Sequence, residues 1–187
     1  MEQGDFRGGR RAAFLDRDGT INLDYGYVGD PDRVELLPDV GQGLRLLAGA
    51  GFELVVVTNQ SGVQRGYFTL ARVDAVNERV RALLAAEGVS VAGFYVCPHG
   101  PEDACLCRKP LPGLAEQAFS EIALDRDGSI MVGDKESDIE MGQAVGAFTI
   151  RLAPTGTASG ADLVAPDWAS LMPLLERWRD EAGTATA

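Results

Sequence analysis

Short apolar runs alternate with stretches of helical periodicity along most of this sequence. Between the runs, apolar residues recur three and four positions apart, as in Leu70, Val73, Val76 and Val80. The predicted strands cover residues 12–15, 52–57, 93–96, 129–132, 148–152 and 162–165. Because strands that alternate with helices form parallel sheets covered on both faces, the sequence predicts an α/β fold with a doubly wound, Rossmann-like, mostly parallel sheet.

The chain length favours a single domain. Its 187 residues are enough for one domain with a substantial core and too few for two ordinary domains. We expect residues 1–11, which are polar and glycine-rich, to be disordered, residues 12–178 to form the domain, and residues 179–187 to form a tail. No apolar run resembles a membrane helix or a signal peptide, so we expect a cytoplasmic protein without membrane association.

The charge balance limits the possible partners. A net charge of −11 argues against nucleic acid, because binding to a phosphate backbone needs a basic surface. An anionic substrate would have to be met by a few local cations. The basic residues are almost all arginines, so the two lysines, Lys109 and Lys135, suggest positions where a compact ammonium group is needed. Placement by chance is the alternative.

Polar clusters follow three of the predicted strands. Asp16 and Asp18 follow the first strand, residues 58–61 follow the second, and residues 133–138 follow the fourth. The carboxyl ends of parallel strands meet at one edge of the sheet, where ligands bind. There an Asp can attack phosphorus, a second Asp can protonate the leaving group, and Asp134 can join Asp16 in holding Mg²⁺. Each motif alone also fits a surface turn or a helix N-cap, but their convergence favours a site for phosphoryl transfer.

A near-copy of the first cluster, residues 125–129, precedes a predicted strand instead of following one. This order places it at the opposite edge of the sheet. We interpret it as a turn between a helix and a strand, without a role in chemistry.

All three cysteines and the single histidine lie within residues 97–107. Three thiolates and one imidazole make a complete tetrahedral set, which is typical of structural zinc. Free cysteines in a core are the alternative. The predicted zinc ligands are Cys97, His99, Cys105 and Cys107.

Four segments of the chain resemble the motifs of the haloacid dehalogenase (HAD) superfamily of phosphohydrolases, in order and over nearly the whole chain. They are Asp16-x-Asp18-Gly19-Thr20, Thr58-Asn59, Lys109 and Gly133-Asp134-x-x-x-Asp138. Residues 16–22, 58–62, 105–110 and 132–135 resemble, more narrowly, the branch that contains D,D-heptose 1,7-bisphosphate phosphatases and histidinol phosphatases. Residues 97–107 resemble the zinc loop of the same branch.

The resemblance implies a role for each matching residue. Asp16 would be the nucleophile and Asp18 the general acid and base, while Thr58 and Lys109 would stabilise the transferring phosphoryl group. The Mg²⁺ ligands would be Asp16, the backbone carbonyl of Asp18 and Asp134, with Asp138 orienting the site. The residues implied to contact substrate are Asp24, Tyr25, Gly26, Tyr27, Asn59, Gln60, Ser61, Arg108 and Lys135.

Arg65 lies in the loop that follows residues 58–62. It is a candidate contact for a second anionic group of the substrate, and a solvated loop arginine is an equally good interpretation.

The spacing between motifs leaves no room for a separate cap domain. Residues 17–57 separate Asp16 from Thr58, and residues 59–108 separate Thr58 from Lys109. Each gap is largely filled by predicted helix and strand. We therefore expect a site that is open to solvent and bounded by loops.

The activity implied by the resemblance is Mg²⁺-dependent removal of the 7-phosphate from a heptose 1,7-bisphosphate. Its partner would be a small phosphorylated sugar, and we expect a monomer. One alternative is a histidinol phosphatase, because the motifs are shared. Another is a catalytically silent, zinc-stabilised binding module, against which the intact set Asp16, Asp18, Lys109 and Asp134 argues.

Overall fold

Strands and α-helices alternate through residues 10–185, the part of the chain that the computed structural model describes. A 3-10 turn at Pro31–Arg33 precedes the first helix. The strands are β1 (Arg10–Leu15), β2 (Phe52–Asn59), β3 (Gly93–Cys97), β4 (Leu124–Gly133), β5 (Phe148–Leu152) and β6 (Leu163–Ala165). The helices are α1 (Val40–Gly49), α2 (Leu70–Ala86), α3 (Gly113–Glu121), α4 (Glu136–Ala144) and α5 (Trp168–Ala185).

The six strands form one parallel sheet in the order β3-β2-β1-β4-β5-β6. Strand β1 lies in the middle, between β2 and β4. Chain order therefore reverses at β1, and the crevice beyond its carboxyl end is the position where open α/β sheets bind ligands. The predicted doubly wound parallel sheet is confirmed.

The side chains of β1 alternate between two buried layers. Ala13 and Leu15 pack in a layer with residues of α1, α2 and α5. Ala12 and Phe14 pack in a second layer with residues of α3 and α4. Because both faces of β1 are covered, all four positions can be apolar, and this explains the unbroken run that marked the strand in the sequence.

No separate cap domain is inserted between the strands that the structure describes. The segment between β1 and β2 holds the 3-10 turn and α1, and the segment between β2 and Lys109 holds α2, β3 and the cysteine cluster. The site at the carboxyl edge is therefore bounded by loops, as predicted. None of the helices within residues 10–185 is long and apolar enough to cross a bilayer.

The domain ends differ from the predicted boundaries. Strand β1 begins at Arg10, because Arg11 is paired with Phe52 of β2 and its guanidinium lies over the Phe52 ring, 4.4 Å from the centroid. Residues 1–9 lie outside the described residues, so disorder there stays a prediction. Helix α5 continues to Ala185, so the predicted tail at residues 179–187 is helical over most of its length.

The near-copy at residues 125–129 is not the turn that the sequence predicted. It lies within β4, which begins at Leu124 and pairs Asp125 with Arg11 before a register shift. Gly128, with φ of +75°, allows this irregular stretch. The pairing with the first residues of β1 does place the near-copy at the edge of the sheet opposite to Asp16, as predicted.

Other elements begin or end a few residues away from the predicted boundaries. Strands β2 and β3 each continue past the predicted end, which brings Thr58, Asn59 and Cys97 into the sheet. Helix α4 begins at Glu136, inside the polar cluster 133–138, because the Asp138 carboxylate accepts a hydrogen bond of 3.0 Å from the backbone N–H of Lys135.

Candidate active site

Asp16 is the first residue after the central strand. It is 5% exposed, and its backbone N–H donates to the carbonyl of Val132 at the end of β4 (3.0 Å). The chain then turns at Gly19, where φ is +89° and a Cβ atom would lie 2.5 Å from Oδ2 of Asp134. Glycine is therefore required both for the backbone conformation and for the close approach of Asp134.

Lys109 is buried between two carboxylates. Its Nζ lies 2.5 Å from Oδ1 of Asp16 and 2.7 Å from Oδ1 of Asp138, and it donates to the carbonyl of Val57 at 2.7 Å. Burial alone would lower the pKa of Lys109, but the charges of Asp138 and Asp16 raise it above its ordinary value. Lys109 therefore carries a positive charge beside the Asp16 carboxylate.

The side chain of Asn59 positions the backbone of Lys109. Its Nδ2 donates to the Lys109 carbonyl and its Oδ1 accepts from the Lys109 N–H, both at 3.1 Å. The sequence predicted a substrate contact for Asn59. The structure shows that the amide group of Asn59 ties the end of β2 to the loop that carries the lysine.

Three carboxylates converge where the sequence predicted Mg²⁺. Asp16, Asp134 and Asp138 each offer an oxygen atom, and these atoms lie within 4.8 Å of one another. Burial raises the pKa of Asp16 to about 7, against the effect of Lys109, and burial also raises the pKa of Asp134. Oδ1 of Asp134 is buried and has no hydrogen-bond partner. A divalent cation would satisfy this oxygen and stabilise the ionised carboxylates, so the residues fit the metal.

Asp18 is held by Arg17, for which the sequence predicted no role in the site. Nε and Nη2 of Arg17 donate to the two carboxylate oxygens of Asp18 at 3.0 and 2.8 Å. Asn22 and Gln60 also donate to this carboxylate, at 2.9 and 2.8 Å. Burial opposes ionisation, but Arg17 and the other donors lower the pKa of Asp18, so it rests as a carboxylate.

Arg17 itself is fully buried, and its Nη1 donates to Oδ1 of Asn77 in α2 at 2.8 Å. A signal for this contact was present in the sequence. Asn77 is a polar residue beside Val76 and close to Val80, on the face of α2 that packs on the sheet. A polar residue on a buried helix face needs a partner, and Arg17 is that partner.

We expect Arg17→Met to destabilise the protein by about 2–4 kcal/mol, because it leaves the Asp18 carboxylate and the Asn77 amide without their shared donor. Urea unfolding with and without the substitution measures this effect. Arg79→Met, at an exposed position of the same helix, is the matched control and should change stability by less than about 0.5 kcal/mol. Equal stabilities of the two variants would contradict the assigned role of Arg17.

A cleft of about 300 Å³ opens in front of Asp16. Of the residues predicted to contact substrate, Tyr25 and Arg65 do not line it. Tyr25 lines a neighbouring cavity, and Arg65 is exposed on its loop. Ser137 lines the cleft and was not predicted. The lining residues are Asp16, Asp18, Asp24, Gly26, Tyr27, Thr58, Asn59, Gln60, Ser61, Arg108, Lys109, Lys135 and Ser137.

Two further cations line the cleft. Nη1 of Arg108 donates to the carbonyl of His99 at 3.0 Å, and Nζ of Lys135 lies 3.2 Å from Oδ2 of Asp24 and 3.8 Å from Oδ2 of Asp134. Burial lowers the pKa of Lys135, but the opposite effect of the neighbouring carboxylates is larger. The pKa of Lys135 therefore lies above its ordinary value. The cleft lining therefore holds three cations, Arg108, Lys109 and Lys135, among carboxylates of equal number, and these cations are the groups that can meet an anion in an acidic chain.

Thr58 and Gln60 form the remaining polar wall. Both are almost fully buried, and Nε2 of Gln60 donates to Oγ1 of Thr58 at 2.9 Å as well as to Asp18. The end of β2 is thus hydrogen-bonded to the end of β1. This arrangement places the Thr58 hydroxyl beside the two aspartates, as the sequence predicted.

The cysteine cluster lies directly before Arg108. Sγ of Cys97 is 3.0 Å from Sγ of Cys107 and 3.8 Å from Sγ of Cys105, and Nδ1 of His99 is 3.6 Å from Cys97 and 3.3 Å from Cys107. Tetrahedral zinc with Zn–S bonds of about 2.3 Å separates its sulfur ligands by about 3.8 Å. The Cys97–Cys105 separation matches this value, and the Cys97–Cys107 separation is shorter. All four ligand atoms lie within 4.8 Å of one another, so the set can hold a metal ion, and the three cysteines form no disulfide.

A family model described as HAD-hydrolase-like matches residues 106–172. Two relatives named D-glycero-beta-D-manno-heptose-1,7-bisphosphate 7-phosphatase extend the similarity over most of the chain. The protein from Yersinia pestis is 43% identical in an alignment of length 167 that covers 84% of this chain and 88% of the relative. The protein from Haemophilus ducreyi is 41% identical in an alignment of length 178 that covers 88% of this chain and 98% of the relative.

Solved structures of phosphatases are also similar to this chain over most of its length. The crystal structure of D,D-heptose 1,7-bisphosphate phosphatase from B. bronchiseptica, complexed with magnesium and phosphate, has a TM-score of 0.78 and 33% identity, and covers 89% of this chain and 98% of that one. A putative HAD-like phosphatase from Mesorhizobium loti has a TM-score of 0.79 and 34% identity, with coverage of 91% and 88%.

Proposed function

This chain belongs to the family of HAD-type D-glycero-beta-D-manno-heptose-1,7-bisphosphate 7-phosphatases, and we propose that it removes the 7-phosphate of D-glycero-D-manno-heptose 1,7-bisphosphate in a Mg²⁺-dependent reaction. The observation that carries the proposal is the placement of Asp16, Lys109 and Asp138 in one buried contact beside a cleft that is also lined by Arg108 and Lys135. The names of the relatives favour the β anomer. They also favour the heptose substrate over histidinol phosphate, and a phosphatase over a silent binding module.

In the proposed reaction, an oxygen of the Asp16 carboxylate attacks the phosphorus of the 7-phosphate. A bond forms between this oxygen and phosphorus, and the bond from phosphorus to the C7 oxygen breaks. Lys109 and the Thr58 hydroxyl stabilise the negative charge of the transferring group. The product of this step is an acyl phosphate on Asp16.

Asp18 moves the protons. It rests as a carboxylate, but a phosphate dianion bound beside it would raise its pKa and allow it to take up a proton. Asp18 then gives this proton to the leaving C7 oxygen. The resulting carboxylate accepts a proton from the water that attacks the acyl phosphate, which releases inorganic phosphate and restores Asp16.

We propose that Asp16, the backbone carbonyl of Asp18 and Asp134 hold the Mg²⁺ ion. When bound, Mg²⁺ supplies positive charge that reduces repulsion between the Asp16 carboxylate and the phosphate dianion. Asp138 acts on the site through Lys109, with which it forms an ion pair at 2.7 Å.

The cations Arg108 and Lys135 are proposed to receive the phosphate that stays on C1 and the nearby sugar hydroxyls. Both line the cleft, and the Arg108 guanidinium is held in place by a hydrogen bond from its Nη1 to the carbonyl of His99. Asp24, Gly26 and Tyr27 line the same cleft, and Asp24 lies next to Lys135. Arg65 is not included, because it is exposed and does not line the cleft.

We propose that Cys97, His99, Cys105 and Cys107 bind one structural zinc ion. The ion would fix the loop whose last ligand directly precedes Arg108 and Lys109. Reduced thiols are needed for this site, which is consistent with the predicted cytoplasmic location. The proposed site is complete within one chain, so the predicted monomer is sufficient for activity.

We expect Cys107→Ser to lower the bound zinc from one ion per chain to less than about 0.2, and to lower Tm by at least about 6 °C, because the metal contributes directly to folding stability. Mass spectrometric metal analysis and calorimetry measure both effects. The control is Leu106→Ser at the neighbouring position, which is 82% exposed and should keep the zinc. A Cys107→Ser protein with unchanged zinc content would contradict the assignment.

The substrate is tested by comparing kcat/KM for the β and α anomers of heptose 1,7-bisphosphate and for histidinol phosphate, with Mg²⁺ and with EDTA. We expect kcat/KM to be at least about 100-fold higher for the β anomer than for histidinol phosphate, and activity to be lost in EDTA. A higher kcat/KM for histidinol phosphate would show that the chain is a histidinol phosphatase, the alternative predicted from the shared motifs. Activity that is unaffected by EDTA would contradict the metal-dependent mechanism.

A further inference from the structure

A second cavity of about 460 Å³ lies beside the catalytic cleft. The two spaces share Tyr27 as a lining residue. The proposed reaction does not use the second cavity, and most of its lining residues come from the loop after β1 and from the start of α2. Its aromatic and charged lining side chains include Tyr25, Tyr27, Tyr67, Asp30, Arg33 and Arg72.

The rim of this cavity is aromatic. Tyr25, Tyr27 and Tyr67 are 46%, 48% and 60% exposed, and the rings of Tyr27 and Tyr67 pack edge to face with centroids 4.7 Å apart. Large aromatic side chains left in solvent cost free energy unless something covers them. Tyrosine combines a flat apolar face with a hydroxyl group, and it is suited to a ligand that is itself part apolar and part hydroxylated, such as a sugar ring.

The same cavity is lined by two guanidinium groups and one carboxylate. Arg33 lies over the ring of Tyr25, 5.3 Å from its centroid. Arg72 lies 3.8 Å from Oδ1 of Asp30, and both side chains of this loose pair are about half exposed (54% and 47%). Guanidinium groups bind phosphate with two parallel hydrogen bonds, and these two retain exposed donors for such a ligand. The lining residues carry two guanidinium groups against one carboxylate in a chain with net charge −11, and Glu35 lies beside Tyr25 at the rim.

We propose that this second cavity binds a sugar monophosphate at a site separate from the catalytic cleft. Arg33 and Arg72 bind its phosphate, the tyrosine rim covers a face of the sugar, and Asp30 accepts a hydrogen bond from a sugar hydroxyl. The identity of the sugar rests on the proposed function, whose product, heptose 1-phosphate, is released next to Tyr27. A ligand in this cavity would also contact the segment at Val28, whose carbonyl accepts from Nη2 of Arg17 at 3.5 Å.

Binding is measured by isothermal titration calorimetry in an Arg108→Ala/Lys135→Ala background, which removes the two outer cations of the cleft. The probes are heptose 1-phosphate, D-mannose 1-phosphate, AMP and inorganic phosphate. We expect Arg33→Gln/Arg72→Gln to weaken the binding of both sugar phosphates at least about tenfold. Arg79→Gln, elsewhere on α2, is the matched control and should leave Kd within about twofold. Inorganic phosphate should bind at least about tenfold more weakly than the sugar phosphates.

Three results would overturn the proposal. The first is sugar phosphate binding that is absent or unchanged by Arg33→Gln/Arg72→Gln, and the second is tighter binding of AMP than of either sugar phosphate. The third is a loss of kcat/KM of tenfold or more in Arg33→Gln/Arg72→Gln without the background substitutions, because the cavity would then belong to the substrate site. Turnover of heptose bisphosphate is measured separately. If it fails while D-mannose 1-phosphate still binds at the cavity, only the proposed function is wrong.

Discussion

Asparagine in place of Asp16 is expected to reduce kcat for phosphate release by at least about 10⁴-fold, because the neutral amide cannot form the acyl phosphate. The fold should be retained. Asparagine has nearly the same shape as aspartate, and its Oδ1 can still accept from Nζ of Lys109. Burial disfavours the charge of Asp16, so its removal should leave Tm within about 3 °C of the wild-type value. Phosphate release under saturating substrate and calorimetry provide the two measurements.

The near-copy in β4 supplies the control for this prediction. Asp125 occupies the first acidic position of the sequence Asp-Arg-Asp-Gly, but it is exposed and lies at the edge of the sheet opposite to Asp16. Asp125→Asn should therefore leave kcat within about twofold. Turnover retained by Asp16→Asn, or lost equally in both variants, would contradict the assignment of the nucleophile.

Lys109→Met is expected to cause large losses of both activity and stability. The substitution keeps the length of the side chain but leaves Asp16 and Asp138 buried without their cation, which costs about 3–5 kcal/mol. Removing a charge that stabilises the transferring group should also lower kcat by about 10²–10³-fold. Urea unfolding and steady-state kinetics measure the two effects.

Lys135 is a suitable comparison for stability because it is the other lysine of the chain. Its side chain is 55% exposed, and its ion pairs with Asp24 and Asp134 are at 3.2 and 3.8 Å. Lys135→Met should therefore change the free energy of unfolding by less than about 1 kcal/mol. If the two variants are equally stable, Lys109 does not stabilise the fold through its buried contact with Asp16 and Asp138.

Much of the fold could be predicted from the sequence because its signals are local. The apolar runs at residues 12–15 and 52–57 are unbroken because both faces of the sheet are covered, and this identifies them as central parallel strands. The meeting of Asp16, residues 58–61 and Asp134 at one edge follows from parallel topology alone.

Other features depend on contacts that are distant in the sequence. Residues 125–129 have the composition of a turn, but Asp125 pairs with Arg11, so the strand begins before them and its register shifts across residues 126–129. Residues after Trp178 include small residues, yet α5 continues because Trp178 packs against Phe52 and Phe148 and because no proline follows.

Arg17 shows why part of the candidate site could not be predicted. An arginine between two aspartates in a turn is usually solvated, and nothing local indicates that it is fully buried. Its burial depends on Asn77, which follows it by 60 positions. The second cavity has no local signal for the same reason, because Arg33 and Arg72 line one cavity only when the loop after β1 packs beside α2.

Mg²⁺-dependent removal of the 7-phosphate from the heptose bisphosphate is tested most directly by ³¹P NMR of the β anomer during reaction with the wild-type protein and Mg²⁺. We expect loss of the 7-phosphate resonance, an equal gain of inorganic phosphate and a retained 1-phosphate resonance. Release of the 1-phosphate, or an unchanged spectrum with metal-loaded protein, would contradict the proposed activity.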